Sequence, residues 1–237
     1  KDVEEQAQGP VLNPIEMGIP HADFAVERIA SMPVYGELFA KAFPDQSEPL
    51  VYTNIANAIG AFERTLTTPS RFDDYLNGDA DALSEQELAG LQTFIEYGCA
   101  GCHNGAALGG NSLQRFGVTE AYWEATRDFV AIDSPTMPMD VGRFAVTHDE
   151  ADLYVFKVPS LRNITRTYPY FHDGSVWSLE DATQVMARVQ LGRELSAQEL
   201  DALMAFYGTL EGEIPAHALQ LPVLPASTQA TPKPDFR

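Results

Sequence analysis

The densest chemistry in the chain is a thiol pair followed at once by an imidazole: Cys99, Cys102 and His103, in the string EYGCAGCHNGA at residues 96–106. These are the only two cysteines among 237 residues. Such a pair can serve a structural zinc, a redox dithiol, a disulfide or a covalently attached haem c. A structural zinc wants four ligands, usually from two such pairs. There is no second pair, and His21, His148, His172 and His217 are scattered. A redox dithiol sits after a strand in a βαβ setting. Here the upstream LSEQELAGLQTFIEYGC has a helical pattern. Ser84 and Glu87 make a capping box, and Leu88, Leu91, Phe94 and Ile95 recur at helical spacing. Haem c attachment needs two thiols that reach the two vinyl groups and an imidazole placed next to them for the iron, and Cys-x-x-Cys-His supplies that on one turn. Haem c is therefore the expected cofactor, with one such haem allowed by one cysteine pair. Its assembly outside the bacterial cytoplasm makes the periplasm the expected compartment.

The iron's sixth position has several candidates. Methionine there raises the potential and suits electron transfer, histidine lowers it, and an open site suits chemistry. Met137, Met139, Met186, Met204, His148 and His172 all lie downstream of the motif. Met204 belongs to SAQELDALMAFYGTL, capped by Ser196 and Glu199. Leu200, Leu203, Met204 and Tyr207 form its apolar face, so Met204 reads as core. Met137 and Met139 sit in the proline-bounded loop SPTMPMD, and Met186 sits in the short helical stretch SLEDATQVMARVQLG. The residue types leave the choice open.

These groups must be positioned by a mainly helical chain. Residues 1–20 read as an extended segment with turns at Gly9-Pro10, Asn13-Pro14 and Gly18. Helices are expected over about 22–42 and 51–66, then a linker with a short helix in TTPSRFDDYLNGDADAL. A helix over about 85–97 leads into the cysteine motif, a loop-rich stretch over 104–160 wraps the haem, and helices return over about 179–190 and 197–209. The tail from EIPAHALQLPVLP onward reads as an extended arm that packs on the other domain. No strand pair with a hairpin turn is visible. Forty-five per cent apolar and 21% charged residues suit a globular chain with a sizeable core. No apolar run reaches the roughly 18 residues of a membrane helix. Fifteen basic against 34 acidic residues give a net charge of −19. Such a surface repels nucleic acid and anionic lipid and suits a basic or dipolar soluble partner.

Three longer strings resemble one family. VFKVPSLRNITRTYPYFHDGSVWSLEDATQVMARVQLGREL is similar to the C-terminal haem domain of the bacterial di-haem cytochrome c peroxidases, which include the MauG-type enzymes. GCAGCHNGAALGGNSLQRFG resembles their electron-transfer haem site, and EEQAQGPVLNPIEMG the segment beside their peroxidatic haem. The resemblance implies that Cys99 and Cys102 carry the high-potential haem, with His103 and Met186 as its axial ligands. MauG-type members use a tyrosine in place of Met186, so a hydrogen peroxide reductase is implied. His172 of YFHDG matches a histidine near the haems, though its residue type also suits an enclosed, hydrogen-bonded loop position. Thr167 and Pro169 match positions whose main-chain carbonyls bind a calcium ion. Glu16 matches the acid–base residue at the peroxide site and Gln6 its pocket partner.

The implied architecture is mainly α. It comprises a remainder of the peroxidatic-haem domain over 1–66, a cytochrome c-like electron-transfer domain over 67–212 and an extended arm over 213–237. The family carries two haems and these residues one, so the resemblance implies that the peroxidatic haem's attachment segment lies upstream of Lys1. It leaves the apolar faces of the two early helices in need of cover. The implied partners are a small periplasmic cytochrome c or cupredoxin donor, that upstream haem segment, and a second copy in a homodimer. A different function class stays open: a mono-haem electron-carrier cytochrome without peroxidase activity. Retention of Glu16 and Gln6 argues for the enzyme, since a carrier has no use for a peroxide-site loop.

Overall fold

A computed structural model describes residues 2–129 and 139–233. Its contacts gather into two compact units, residues 68–213 in one and residues 1–67 with 214–237 in the other. No described helix is long and apolar enough to cross a membrane.

The first unit opens with two short helices, α1 (Val3–Gln6) and α2 (Gln8–Leu12), where an extended segment was expected. Asp2 caps α1 by accepting from the Glu5 amide at 2.9 Å. Pro10 falls in the first turn of α2, where its missing N–H removes no helical bond. Helix α1 is then fastened to α5 (Tyr52–Glu63) by a two-pronged ion pair, Arg64 to Glu4, with both bonds at 2.8 Å. The expected helix over 22–42 is in fact two, α3 (Ala22–Ala30) and α4 (Pro33–Ala42). Pro33 forces Met32 into an extended conformation and starts a new helix at its first position. Val34, Leu38, Phe62 and Leu66 of these helices and their ends are exposed. The tail is strapped back on: Arg28 donates to the Pro232 carbonyl at 2.6 Å, Thr228 to the Ser31 carbonyl at 3.0 Å, and His217 bonds Thr65 at 2.7 Å.

The second unit runs through α6 (Arg71–Leu76), α7 (Glu85–Glu96), β1 (Leu113–Arg115), α8 (Tyr122–Ala125), α9 (Phe144–Thr147), β2 (Val155–Lys157), α10 (Leu179–Leu191) and α11 (Ala197–Thr209). The strands pair antiparallel, Leu113 opposite Lys157 and Arg115 opposite Val155. They close a long loop rather than a hairpin, so no turn signal marks them in the sequence. Helices α7 and α11 make the centre. Phe94, Leu203, Phe206 and Leu210 between them are at most 2% exposed. Both helices begin at complete capping boxes, Ser84 with Glu87 and Ser196 with Glu199. The backbones meet at Gly90, where a Cβ would lie 1.9 Å from the Ala202 carbonyl oxygen. Gly90→Ala is therefore expected to cost about 2–3 kcal/mol by overpacking, read as a lower urea midpoint with an unchanged slope.

The start of α7 is also charge-dependent. Arg71 beside Glu87 holds that carboxyl down at about 2 from 4.5, against partial burial and with help from Ser84. A folded pKa below the unfolded one stabilises fully above about pH 4.5, and that contribution is lost as pH falls towards 2. Urea midpoints measured between these limits should fall less steeply for Glu87→Gln than for the parent. Parallel slopes would remove Glu87 as a source of acid sensitivity.

Candidate haem centre

Helix α7 delivers the cysteine motif. Its chain turns at Gly98, which holds the left-handed φ of +82°, into a single tight turn over Cys99–Gly101. The Cys102 and His103 amides both donate to the Cys99 carbonyl, at 3.2 and 2.9 Å. Both thiols and the imidazole thus share one compact turn. The two cysteines are half-buried and not joined as a disulfide. Cys99 and Ala100 pack on the core made by Phe94, Leu203 and Phe206, and burial pushes the Cys99 thiol up. Asn104 staples the turn by donating to the Ala100 and Gly101 carbonyls at 3.2 and 3.0 Å, and Asn111 donates in turn to Asn104 at 3.0 Å. Neither asparagine stands out in the sequence beyond its nearness to the motif.

His103 is set up as a metal ligand. Its Nδ1 lies 3.3 Å from the Leu108 carbonyl oxygen, which can only accept, so Nδ1 carries the proton and Nε2 keeps its lone pair. Burial lowers the imidazole pKa, opposed by the Leu108 and Pro159 carbonyls, and so favours the neutral, ligating form. Two unpaired thiols and a neutral imidazole with a free Nε2 fit a covalently attached haem.

Among the candidates for the opposite position, Met186 is half-buried on α10, against Phe116, Tyr122, Val185 and Val189. Met204 packs into the α7–α11 core. Met139 is 44% exposed, and His148 caps α9 in the left-handed region with its ring against Phe144. Met137 lies outside the described residues.

His172 borders the aromatic cluster that Met186 joins. Its ring stacks on Phe156 at 4.0 Å and meets Tyr122 edge-on at 5.2 Å. Its Nε2 is 3.7 Å from an Asp140 carboxylate oxygen, beyond hydrogen-bond reach. Stacking on Phe156 is thus the ring's tightest aromatic contact among the described residues. Burial pushes the Tyr122 phenol up to about 12. It stays protonated and donates to the Asp140 carbonyl at 2.9 Å. Two buried hydroxyls, Ser112 and Ser175, have no hydrogen-bond partner among the described residues. They are donors of the kind that the propionate groups of a haem accept from.

Glu16 and Gln6 belong to the first unit. Both are exposed. Asn13 donates to the Glu16 carboxylate at 2.7 Å, and no hydrogen bond joins Glu16 to Gln6 among the described residues. Thr167 and Pro169 flank Tyr168 in an exposed turn of the second unit. No cluster of three or more His, Cys, Asp or Glu side chains suited to a metal occurs among the described residues. A cation held at that turn would therefore draw on main-chain carbonyls.

Comparison with known proteins agrees with this chemistry. A family model described as di-haem cytochrome c peroxidase matches residues 1–81. The chain is 45% identical to the cytochrome c551 peroxidase of Nitrosomonas europaea over 234 residues, covering 98% of this chain and 65% of that protein. It is 42% identical to the cytochrome c551 peroxidase of Pseudomonas aeruginosa, covering 99% of this chain and 64% of that protein. The chain thus spans slightly under two thirds of these relatives. Among solved structures, a MauG-like protein associated with microbial copper homeostasis superposes with a TM-score of 0.72 at 31% identity, covering 90% of this chain and 69% of that one.

Proposed function

Because the chain belongs to the di-haem cytochrome c peroxidase family, we propose that it works in the reduction of hydrogen peroxide to water and carries the high-potential, electron-transferring haem. The observation that carries the reading is the turn at Cys99, Cys102 and His103, with His103 fixed through Nδ1 and free at Nε2. Haem c, when bound, supplies an iron that passes one electron at a time. Cys99 and Cys102 would hold it covalently and His103 would ligate its iron. Met186, embedded among Phe116, Tyr122 and Val189, would be the second protein ligand to its iron. His172, stacked on Phe156, is assigned to the surroundings such a haem would have.

Glu16 is the acid–base group. Its carboxylate takes a proton from one peroxide oxygen and returns it to the other as the O–O bond breaks. Asn13 holds that carboxylate, and Gln6 is its partner in the peroxide pocket. These residues hold a single cysteine pair, so the second haem of the family is assigned to residues outside them. The Thr167 and Pro169 carbonyls are assigned to a calcium ion. The donor is a small cytochrome c or cupredoxin, drawn to a surface with a net charge of −19. The compartment is the periplasm and the assembly a homodimer.

The full-length protein should show two haems per polypeptide by pyridine haemochrome absorbance, together with peroxide turnover. Glu16→Gln should lower that turnover about 10²–10⁴-fold with haem content unchanged. One haem and no turnover would instead make the protein an electron carrier. Met186→Ala should convert this haem from six-coordinate low-spin towards high-spin. An unchanged spectrum would move the ligand to Met137, Met139 or His148.

A further inference from the structure

The carbonyl that fixes His103 is itself held by a second segment, residues 159–162. The Ser160 hydroxyl donates to the Ala107 carbonyl at 2.7 Å, and the Arg162 Nε donates to the Ala106 carbonyl at 2.9 Å. The Leu161 amide reaches the Ala107 and Leu108 carbonyls at 3.3 Å each. Three successive carbonyls after the cysteine motif are therefore gripped from one side. Gly109 permits the approach: at its φ of +134° a Cβ would lie 2.0 Å from the Pro159 carbonyl oxygen. Arg162 is anchored from behind. Its two terminal nitrogens fork onto the Asp73 carboxylate at 2.7 and 2.6 Å, and one also donates to the Ser70 hydroxyl at 2.9 Å. The Arg162 side chain is 17% exposed, so this pair is held in place rather than waving in solvent.

We infer that Arg162, with Ser160, is a positioning residue for the haem iron. It holds the 106–108 loop so that the Leu108 carbonyl, already engaged by Leu161, is only a weak acceptor for His103. A stronger bond to Nδ1 would give the imidazole anionic character, make it a more basic ligand and lower the iron's potential. The Leu108 carbonyl, shared between Leu161 and His103 at 3.3 Å from each, with the Pro159 carbonyl of the gripping segment as the ring's other main-chain acceptor, keeps the imidazole neutral and the potential high. The route runs from α6 through Asp73 and Arg162 to Ala106, then along the loop to Leu108 and His103. The inference rests on the haem reading above.

The test uses the full-length protein loaded with haem, and haem content is measured first. Arg162→Lys keeps the charge but loses the fork and the bond to Ala106. Ser160→Ala loses the bond to Ala107 and the one its hydroxyl accepts from the Arg162 amide at 3.1 Å, and leaves the fork to Asp73 in place. Both should lower the reduced-to-oxidised ratio of this haem at a fixed ambient potential, by about three- to tenfold for Arg162→Lys, the equivalent of one hydrogen bond. The His103 Nδ1–H resonance in ¹⁵N-histidine-labelled protein should move downfield in parallel. Thr165→Ala breaks a neighbouring bond to Glu211, 2.8 Å long, that does not touch the loop, and should leave both readouts unchanged. Loaded, folded variants with unmoved potentials would overturn the inference and leave the functional reading standing. So would a Thr165→Ala shift equal to theirs. Absence of covalent haem from the parent protein would overturn both.

Discussion

The second unit depends on one constraint: the backbones of α7 and α11 must touch at Gly90. With no side chain there, Ala202 can sit directly on the α7 backbone, and Phe94, Phe206 and Leu203 close around the crossing. That contact fixes where α7 ends, and α7 ends at the cysteine motif. The proposed haem attachment, a rigid, planar group bonded through two thiols and ligated by one imidazole, would tolerate little movement of the turn that carries them. A helix end anchored by close packing supplies that stillness more firmly than a surface loop could.

Charge does the remaining fastening. In a chain with 34 acidic and 15 basic residues, several arginines are spent on carboxylates that join one element to another: Arg64 to Glu4, Arg71 to Glu87, Arg162 to Asp73 and Arg188 to Glu120. Exposed pairs of this kind contribute little singly. Arg162 with Asp73 differs because it is largely covered and because each partner serves a second role. Asp73 also caps α6 through the Ser70 amide at 2.8 Å, and Arg162 also holds the 106–108 loop. One covered ion pair thereby links a helix start to the environment of His103.

Much of this was legible in the residues. The cysteine motif, both capping boxes, the core role of Met204 and the run of helices follow from spacing and cap chemistry, which act within a few residues of sequence. Two expectations failed at prolines. The helix over 22–42 broke because Pro33 starts a helix rather than continuing one, and residues 3–12 became helical because Pro10 falls in a first turn and Arg64 clamps Glu4 from far along the chain. The β1–β2 pair escaped notice because its partners are separated by a long loop with no turn between them.

The sequence by itself determined the ligand chemistry: two thiols, an imidazole one residue on, and a helix to present them, all encoded over adjacent residues. Tertiary structure alone decided which nitrogen of His103 is free, which methionine lies in the aromatic cluster beside His172, and that residues 159–162 grip residues 106–108. The physical reason is distance along the chain. Capping and helical periodicity act over three or four residues, whereas a carbonyl's second donor, or a ring stacked at 4.0 Å, arrives from elsewhere in the chain and leaves no local pattern to read.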